Sequence, residues 1–193
     1  MRRKLSAKGL VIIGLLLLGG LFPILGRSQL MKAETVVNQT YSQNQFLQDI
    51  APHAQRLSQV YGVPASLIMA QAALSSNYGS YVLAVTYHNL FGLVAQPGQT
   101  SVELRTDRYL AGKLTTISQR FVVYRSWKES LYDYMAKLKS GAWGKDLYQT
   151  LATSSDYKIS AKALEAAGFS TAPDYAEELI NIIEAKNLTQ YDN

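Results

Sequence analysis

The sequence lacks cysteine, and its only two histidines are His53 and His88. Without cysteine the fold cannot contain a disulfide, and both thiolate catalysis and cysteine-ligated zinc are excluded. The two histidines lie far apart and do not show the spacing of metal ligands. We therefore expect neither a metal site nor a cofactor.

Acidic residues are missing from the first 33 positions, which hold six of the 19 basic residues. The rest of the chain has 13 basic and 14 acidic residues, a net charge of −1, so the formal charge of +5 comes from the N-terminal stretch. Nucleic-acid binding depends on an excess of cations along the binding surface. No nucleic-acid partner is expected for the part that follows.

Residues 9–26 form an uncharged run of 18 residues preceded by four basic ones, Arg2, Arg3, Lys4 and Lys8. This pattern predicts that residues 1–33 are an export leader and that the chain after Arg27 is extracytoplasmic. In one outcome, residues 9–26 remain as an anchor in the cytoplasmic membrane. In the other, the protein is secreted after cleavage at Ala33, although Met31 fits the cleavage pattern poorly.

The remaining sequence predicts a polar linker at 34–45 and one mainly helical α+β domain at 46–190. Between residues 94 and 124, the turn signals Pro97-Gly98 and Ala111-Gly112 separate β-branched and aromatic segments, which predicts a small antiparallel hairpin with strands near 101–104 and 115–124. Helical spacing of apolar residues and helix-capping signals predict the helices. They are expected at 46–60, around 67–75, and at 126–138, 145–152, 160–167 and from Pro173 onward.

Four segments together resemble a known family. They read AQAALSSNYG at 70–79, NLFGL at 89–93, FVVYRSWKESLYDYMAKL at 121–138 and GFSTAPDYAEELINII at 168–183. In this order and spacing they are similar to the bacterial glucosaminidase family (mannosyl-glycoprotein endo-beta-N-acetylglucosaminidase-like domains). The resemblance covers about residues 45–188, nearly the whole predicted domain.

The resemblance implies a lysozyme-like fold, with a substrate groove between a helical body and a β-hairpin lobe. It also implies a reaction, the hydrolysis of peptidoglycan between N-acetylglucosamine and the β-1,4-linked N-acetylmuramic acid. A glycosidic oxygen is a poor leaving group until it is protonated, so this reaction needs a carboxylic acid that still holds its proton near neutral pH.

The chain departs from the family at this acid. The family's Glu follows the Ala-Leu of the first segment, where this sequence has Ser75, and a serine hydroxyl is far too weak an acid. A second family acid belongs to the hairpin, where Arg108 occupies its place and Asp107 is one residue away. A shift of one residue turns a strand side chain to the other face unless a bulge re-aims it. Asp107 and the more distant Glu103 are the candidate replacement acids.

The resemblance also suggests substrate-binding residues, namely Tyr78, Asn89, Phe91, Tyr109 and Tyr175. Tyr78 stands where the family often has Trp, and Tyr175 matches a tyrosine of the family's cleft. For the aromatic residues, a purely structural place in the core is the alternative.

Three functions stay open. The chain is a non-catalytic relative that holds peptidoglycan glycan strands or a cell-wall or membrane protein, or it is an active glucosaminidase that uses Glu103 or Asp107. The third possible function is that of a structural interaction module that binds no sugar. Release of new reducing ends from cell wall separates the first two, and sugar binding separates the first from the third.

Overall fold

A computed structural model describes residues 30–37, 42–154 and 156–192. The predicted apolar leader run, residues 9–26, lies outside the described residues. Within the described part, none of the helices is both long and apolar enough to span a membrane. Its elements are α1 (Gln43–Tyr61), α2 (Ala65–Ser76), α3 (Val82–Tyr87), β1 (Ser101–Leu110), β2 (Lys113–Val122), α4 (Trp127–Lys139), α5 (Lys145–Thr153), α6 (Tyr157–Ala166), α7 (Tyr175–Ala185) and a 3-10 helix (Leu188–Tyr191).

The architecture is the predicted mainly helical α+β domain with one hairpin, and the boundaries differ where capping overrides the apolar pattern. Helix α1 begins at Gln43, before the first buried residue Phe46, because Ser42 and Gln45 form a capping box. Helix α6 begins at Tyr157 because the Asp156 side chain accepts a hydrogen bond from the main-chain N–H of Lys158. The six-residue helix α3 was not predicted, since it is too short for its periodicity to be recognised.

Helix α2 is the centre of the main core, because ten of its 12 residues are buried. A helix that is apolar on every side must be covered on every side, and α1, α6, α7 and the 3-10 helix pack around it. Asn77 and Tyr78 follow in the left-handed region (φ 47° and 52°), which ends the helix. This end carries Leu74 and Ser75 to the surface of the body.

The hairpin is longer and more regular than predicted. Pairing runs without interruption from Ser101 opposite Val122 to Leu110 opposite Lys113, and the two-residue turn at Ala111-Gly112 has two positive φ angles. Because no bulge interrupts β1, its side chains alternate strictly between the two faces.

A segment before α1, residues 31–37, binds both parts of the domain, and we call it the strap. The main-chain N–H of Arg105 donates to the Met31 oxygen (2.9 Å), and that of Ala33 donates to the Arg105 oxygen (2.8 Å). On the other side, the N–H groups of Leu83 and Val82 donate to the oxygens of Ala33 (3.2 Å) and Thr35 (2.7 Å). The sequence predicted the end of a leader and a polar linker here, whereas this segment is paired with the domain.

The strap also completes a second, smaller core. Ala33 is buried against Val82, Leu83, Leu104 and Phe121, a cluster separate from the main core. Two of these residues belong to the hairpin and two to α3, so the strap joins the hairpin lobe to the helical body. The relative position of these two lobes defines the cleft between them.

Candidate functional site

A cleft of about 760 Å³ lies between the helical body and the hairpin. Five parts of the chain line it: the strap, the end of α2, the loop after α3, the strands, and the helices and loops from α4 to α7. The lining includes Glu34, Leu74, Ser75, Tyr81, Asn89, Phe91, Thr106, Asp107, Arg108, Lys137, Trp143, Phe169, Thr171, Tyr175 and Glu178.

Ser75, at the position of the expected acid, lines this cleft and is bonded to the main chain. Its hydroxyl oxygen lies 2.6 Å from the carbonyl oxygen of Gln71, one helical turn earlier, and 2.6 Å from that of Leu90. A hydroxyl has one proton to donate, and both acceptors are main-chain oxygens of buried residues. The side chain therefore connects α2 to the loop at 89–93 and presents no acid to a ligand.

The two candidate replacement acids lie on one face of β1. Glu103 and Asp107 alternate with the buried residues Leu104 and Thr106, so their side chains point away from the buried face. Glu103 is exposed opposite Arg120 and is not part of the cleft lining in the described chain. Asp107 does border the cleft.

Asp107 is held as a carboxylate. It forms an ion pair with Lys32 of the strap and accepts a hydrogen bond from the Thr116 hydroxyl (2.5 Å). The hydrogen bond from Lys32, followed by that from Thr116, lowers the pKa of Asp107 below its usual value of 3.8. A carboxyl group with a lowered pKa has already lost its proton at neutral pH, so it cannot act there as a general acid.

Two of the suggested binding residues lie outside the cleft lining in the part of the chain described. Tyr78 packs edge-on against Phe46, with 6.1 Å between the ring centroids, and the Lys186 ammonium group lies 5.6 Å from the Tyr78 ring. Tyr109 is exposed near the hairpin tip, where its main-chain N–H donates to the Thr171 hydroxyl (3.2 Å). This contact connects the hairpin tip to the opposite wall of the cleft.

Asn89 and Phe91 line the cleft and also hold its wall together. The buried Asn89 amide donates to the main-chain oxygens of Leu93 (2.9 Å) and Val122 (3.0 Å), which ties the loop after α3 to β2. Phe91 stacks on Tyr134 with 4.1 Å between ring centroids. Their packing roles explain why these residue types are needed, and a binding role for either residue stays a prediction.

Tyr175 belongs to an aromatic wall on the helical side. Its ring stacks on Phe169 at 5.6 Å, and Phe169 lies 5.1 Å from Trp143. The Gln71 amide N–H donates to the Tyr175 hydroxyl (3.4 Å), while the Gln71 oxygen accepts from Tyr134 (2.7 Å). Burial raises the pKa of both tyrosines, so both phenols stay protonated. Trp143 was missed by the sequence analysis, because it falls in a short loop without a recognisable pattern.

Glu34 is a cleft carboxylate that the sequence analysis also missed, since it lay in the stretch predicted as a linker. Its Oε1 accepts a hydrogen bond from the Thr106 hydroxyl, whereas its Oε2 is buried and has no hydrogen-bond partner within the described structure. Burial, and then the negative charges of Glu34 and Glu178, raise the pKa of Tyr81. Across the described residues, no group of three or more His, Asp or Glu side chains could hold a metal ion.

Comparison with known sequences identifies the family. Residues 51–188 match the sequence model of the glucosaminidase family, described as mannosyl-glycoprotein endo-beta-N-acetylglucosaminidase. The chain belongs to this family. The match confirms the resemblance of the four segments, and it begins after the strap.

Named relatives of this glucosaminidase-family chain come from several bacteria. It is 35% identical over 151 residues to the exo-glucosaminidase LytG of Bacillus subtilis, a match that covers 78% of this chain and 54% of LytG. It is 34% identical over 145 residues to the peptidoglycan hydrolase FlgJ of Escherichia coli K12, covering 72% and 45%. The chain thus spans about half the length of these two relatives.

Solved structures confirm the fold. The catalytic domain of the autolysin Auto from Listeria monocytogenes matches with a TM-score of 0.69 at 28% identity, over 99% of this chain and 100% of that one. An N-acetylmuramoyl-L-alanine amidase from Staphylococcus aureus matches with a TM-score of 0.73 at 34% identity, over 82% and 44%. The predicted lysozyme-like fold with a small β lobe is confirmed.

Proposed function

We propose that this glucosaminidase-family protein acts outside the cytoplasmic membrane, where it binds peptidoglycan glycan strands in its cleft without hydrolysing them. One observation carries the proposal: Ser75, which the resemblance places at the position of the family's acid, lines the cleft and directs its hydroxyl to main-chain oxygens of Gln71 and Leu90. Loss of a general acid lowers the rate by about 10² to 10⁴, whereas binding does not require that proton.

The other carboxylates considered do not replace this acid. Asp107 is ionised beside Lys32, and Glu103 is exposed on the outer face of the hairpin. A glycosidic oxygen that receives no proton stays a poor leaving group. This combination favours a cleft that holds the polymer intact.

The walls of the cleft suit a carbohydrate. Phe169 and Trp143 provide partly exposed aromatic surface, on which the C–H faces of sugar rings can stack, and polar groups such as Arg108 and Glu178 also line the cleft. Concave sites of this size with a few polar groups are typical of ligand binding. The names of LytG, an exo-glucosaminidase, and FlgJ, a peptidoglycan hydrolase, support peptidoglycan as the ligand.

The test uses purified protein and purified peptidoglycan. We expect the protein to co-sediment with the cell wall and to release no new reducing ends over a long incubation. Trp143→Ala should weaken the co-sedimentation, because it removes an aromatic wall of the cleft. Val60→Ala, a substitution of an exposed residue outside the cleft lining, should not.

An active glucosaminidase is the second candidate, favoured by the position of Asp107 at the same cleft as Ser75. Reducing ends released by wild-type protein but not by Asp107→Asn would support it and contradict the binding function. Glu103→Gln makes the same comparison for the other acid. If the protein neither binds the wall nor cleaves it, a structural interaction module that contacts a cell-wall or membrane protein is the remaining function.

A further inference from the structure

We propose that Glu34 of the strap is a sugar-binding residue of the cleft, and that its Oε2 accepts a hydrogen bond from a hydroxyl or N-acetyl N–H group of the bound glycan. This inference rests on the proposed binding function. It concerns a residue outside residues 51–188, so the family match does not include it.

The two oxygens of the Glu34 carboxylate differ in their surroundings. Thr106 donates its hydroxyl proton to Oε1, while Oε2 is buried and has no hydrogen-bond partner among the described residues. A buried acceptor without a partner is unfavourable, and this is especially so for a charged group. Glu34 also lines the cleft. Because Oε2 is shielded while the cleft is empty, a donor on a ligand supplies the missing bond once the Glu34 carboxylate turns toward the cleft.

The strap holds Glu34 in a defined place before any ligand binds. The residues on either side of it, Ala33 and Thr35, both accept main-chain hydrogen bonds from α3. Ala33 is also anchored in the small core, and the Lys32 side chain is paired with Asp107 on β1. A group that is already ordered loses little conformational freedom on binding, which favours affinity.

The chemistry of the carboxylate indicates the type of ligand group. A carboxylate only accepts hydrogen bonds, and its partners are therefore O–H and N–H donors. Sugar hydroxyls and N-acetyl amides provide such donors along the whole glycan strand. The stem peptides also carry N–H donors, so a peptide-free oligosaccharide is the probe that distinguishes the two sources.

The experiment measures binding of a peptide-free tetrasaccharide of N-acetylglucosamine and N-acetylmuramic acid by calorimetry. Glu34→Gln keeps the shape of the side chain but removes its charge and one acceptor oxygen. We expect its dissociation constant to rise about tenfold or more, because hydrogen bonds to charged groups are among the stronger ones. Glu177→Gln, which removes an equal charge from an exposed position on α7 outside the cleft lining, should bind like the wild type.

A second measurement separates lost binding from a detached strap. The N–H groups of Ala33 and Arg105 make the strap-to-strand hydrogen bonds, so their hydrogen exchange shows whether the strap stays docked in Glu34→Gln. Glu34→Asp, which restores a carboxylate, should recover part of the affinity.

The outcomes are distinct. Weaker binding with unchanged exchange at Ala33 and Arg105 supports the inference. Equal binding by Glu34→Gln overturns it, as does a loss seen only with peptide-bearing strands. No binding by the wild type means that the proposed function itself is wrong. Cleavage by the wild type that stops in Glu34→Gln also overturns the inference about Glu34, because Glu34 would then take part in proton transfer.

Discussion

The Ser75 hydroxyl oxygen lies 2.6 Å from the main-chain oxygen of Leu90, and this contact ties the end of the central helix to the loop that forms the cleft wall. The two residues are 15 positions apart and belong to two of the four family segments. At the position that the resemblance assigns to the family's proton donor, this chain therefore has a structural hydrogen bond.

Restoring the acid should restore hydrolysis. We expect Ser75→Glu to release reducing ends from purified peptidoglycan at a rate about 10² to 10⁴ above the wild type, the range that a general acid supplies. Because Ser75 lines the cleft, we expect the longer side chain to reach into it.

Ser75→Gln is the matched control, because it has the size of the Glu side chain but cannot donate an acidic proton. It should remain inactive. Cleavage by the unmodified protein at the rate of the Glu variant would contradict the role assigned to Ser75. Inactivity of the Glu variant would show that the cleft lacks a further group that hydrolysis needs.

The pairing of Asp107 with Lys32 should make stability depend on pH in acid. The pKa of Asp107 is lower in the folded state than its usual value of 3.8, so the folded state is stabilised above that value. This contribution is lost as the pH falls below 3.8 and through the lowered pKa.

Thermal unfolding of wild type and Asp107→Asn across this range measures the effect. The wild type should be the more stable protein at pH 7, and the two melting temperatures should converge in strong acid. A difference that stays constant with pH would mean that the carboxylate contributes through its shape alone.

Gly79 should not tolerate a side chain. A Cβ atom there would lie 2.8 Å from ring carbons of Phe46 and of Trp127, and the residue has a φ of +73°. Overpacking and a left-handed backbone together should make Gly79→Ala less stable by about 2–4 kcal/mol. The measurement is the free energy of unfolding in urea.

Gly112 provides the comparison for this substitution. It has a similar φ of +76°, but a Cβ there would meet nothing within 4 Å. Gly112→Ala should therefore lower the free energy of unfolding only by the cost of the left-handed backbone, about 1–2 kcal/mol. Equal losses at both positions would show that the contacts with Phe46 and Trp127 do not matter.

The contacts of the strap predict that the mature protein retains residues 31–33. Cleavage after Ala33 would remove Met31, Lys32 and Ala33, together with their bonds to Arg105 and Asp107 and the small-core packing of Ala33. We expect the protein purified from its native envelope to retain these residues, and intact-mass measurement checks this. A mature chain that begins at Glu34 and has the same hairpin hydrogen exchange as a chain with the strap would contradict it.

Most of the fold could be predicted from local patterns. Helical spacing and capping residues predicted six of the α-helices that the structure describes, and Ala111-Gly112 marked the hairpin turn. These signals depend on residues close together in the chain, which is why they can be read in sequence. The strap could not be predicted in this way, because Lys32 and Asp107 are 75 residues apart and a segment of seven residues is too short to show a sustained strand periodicity.

The amino-acid sequence by itself determined that this chain has a helical body and one hairpin, and its resemblance to the family assigned Ser75 to the position of the acid. The tertiary structure decided which side chains enter the cleft: it directed Glu103 outward, paired Asp107 with Lys32 and brought Glu34 to the cleft. The physical reason is that the face on which a strand side chain lies, and the partner it meets, depend on packing between segments far apart in the chain. Composition and local spacing therefore do not predict that packing.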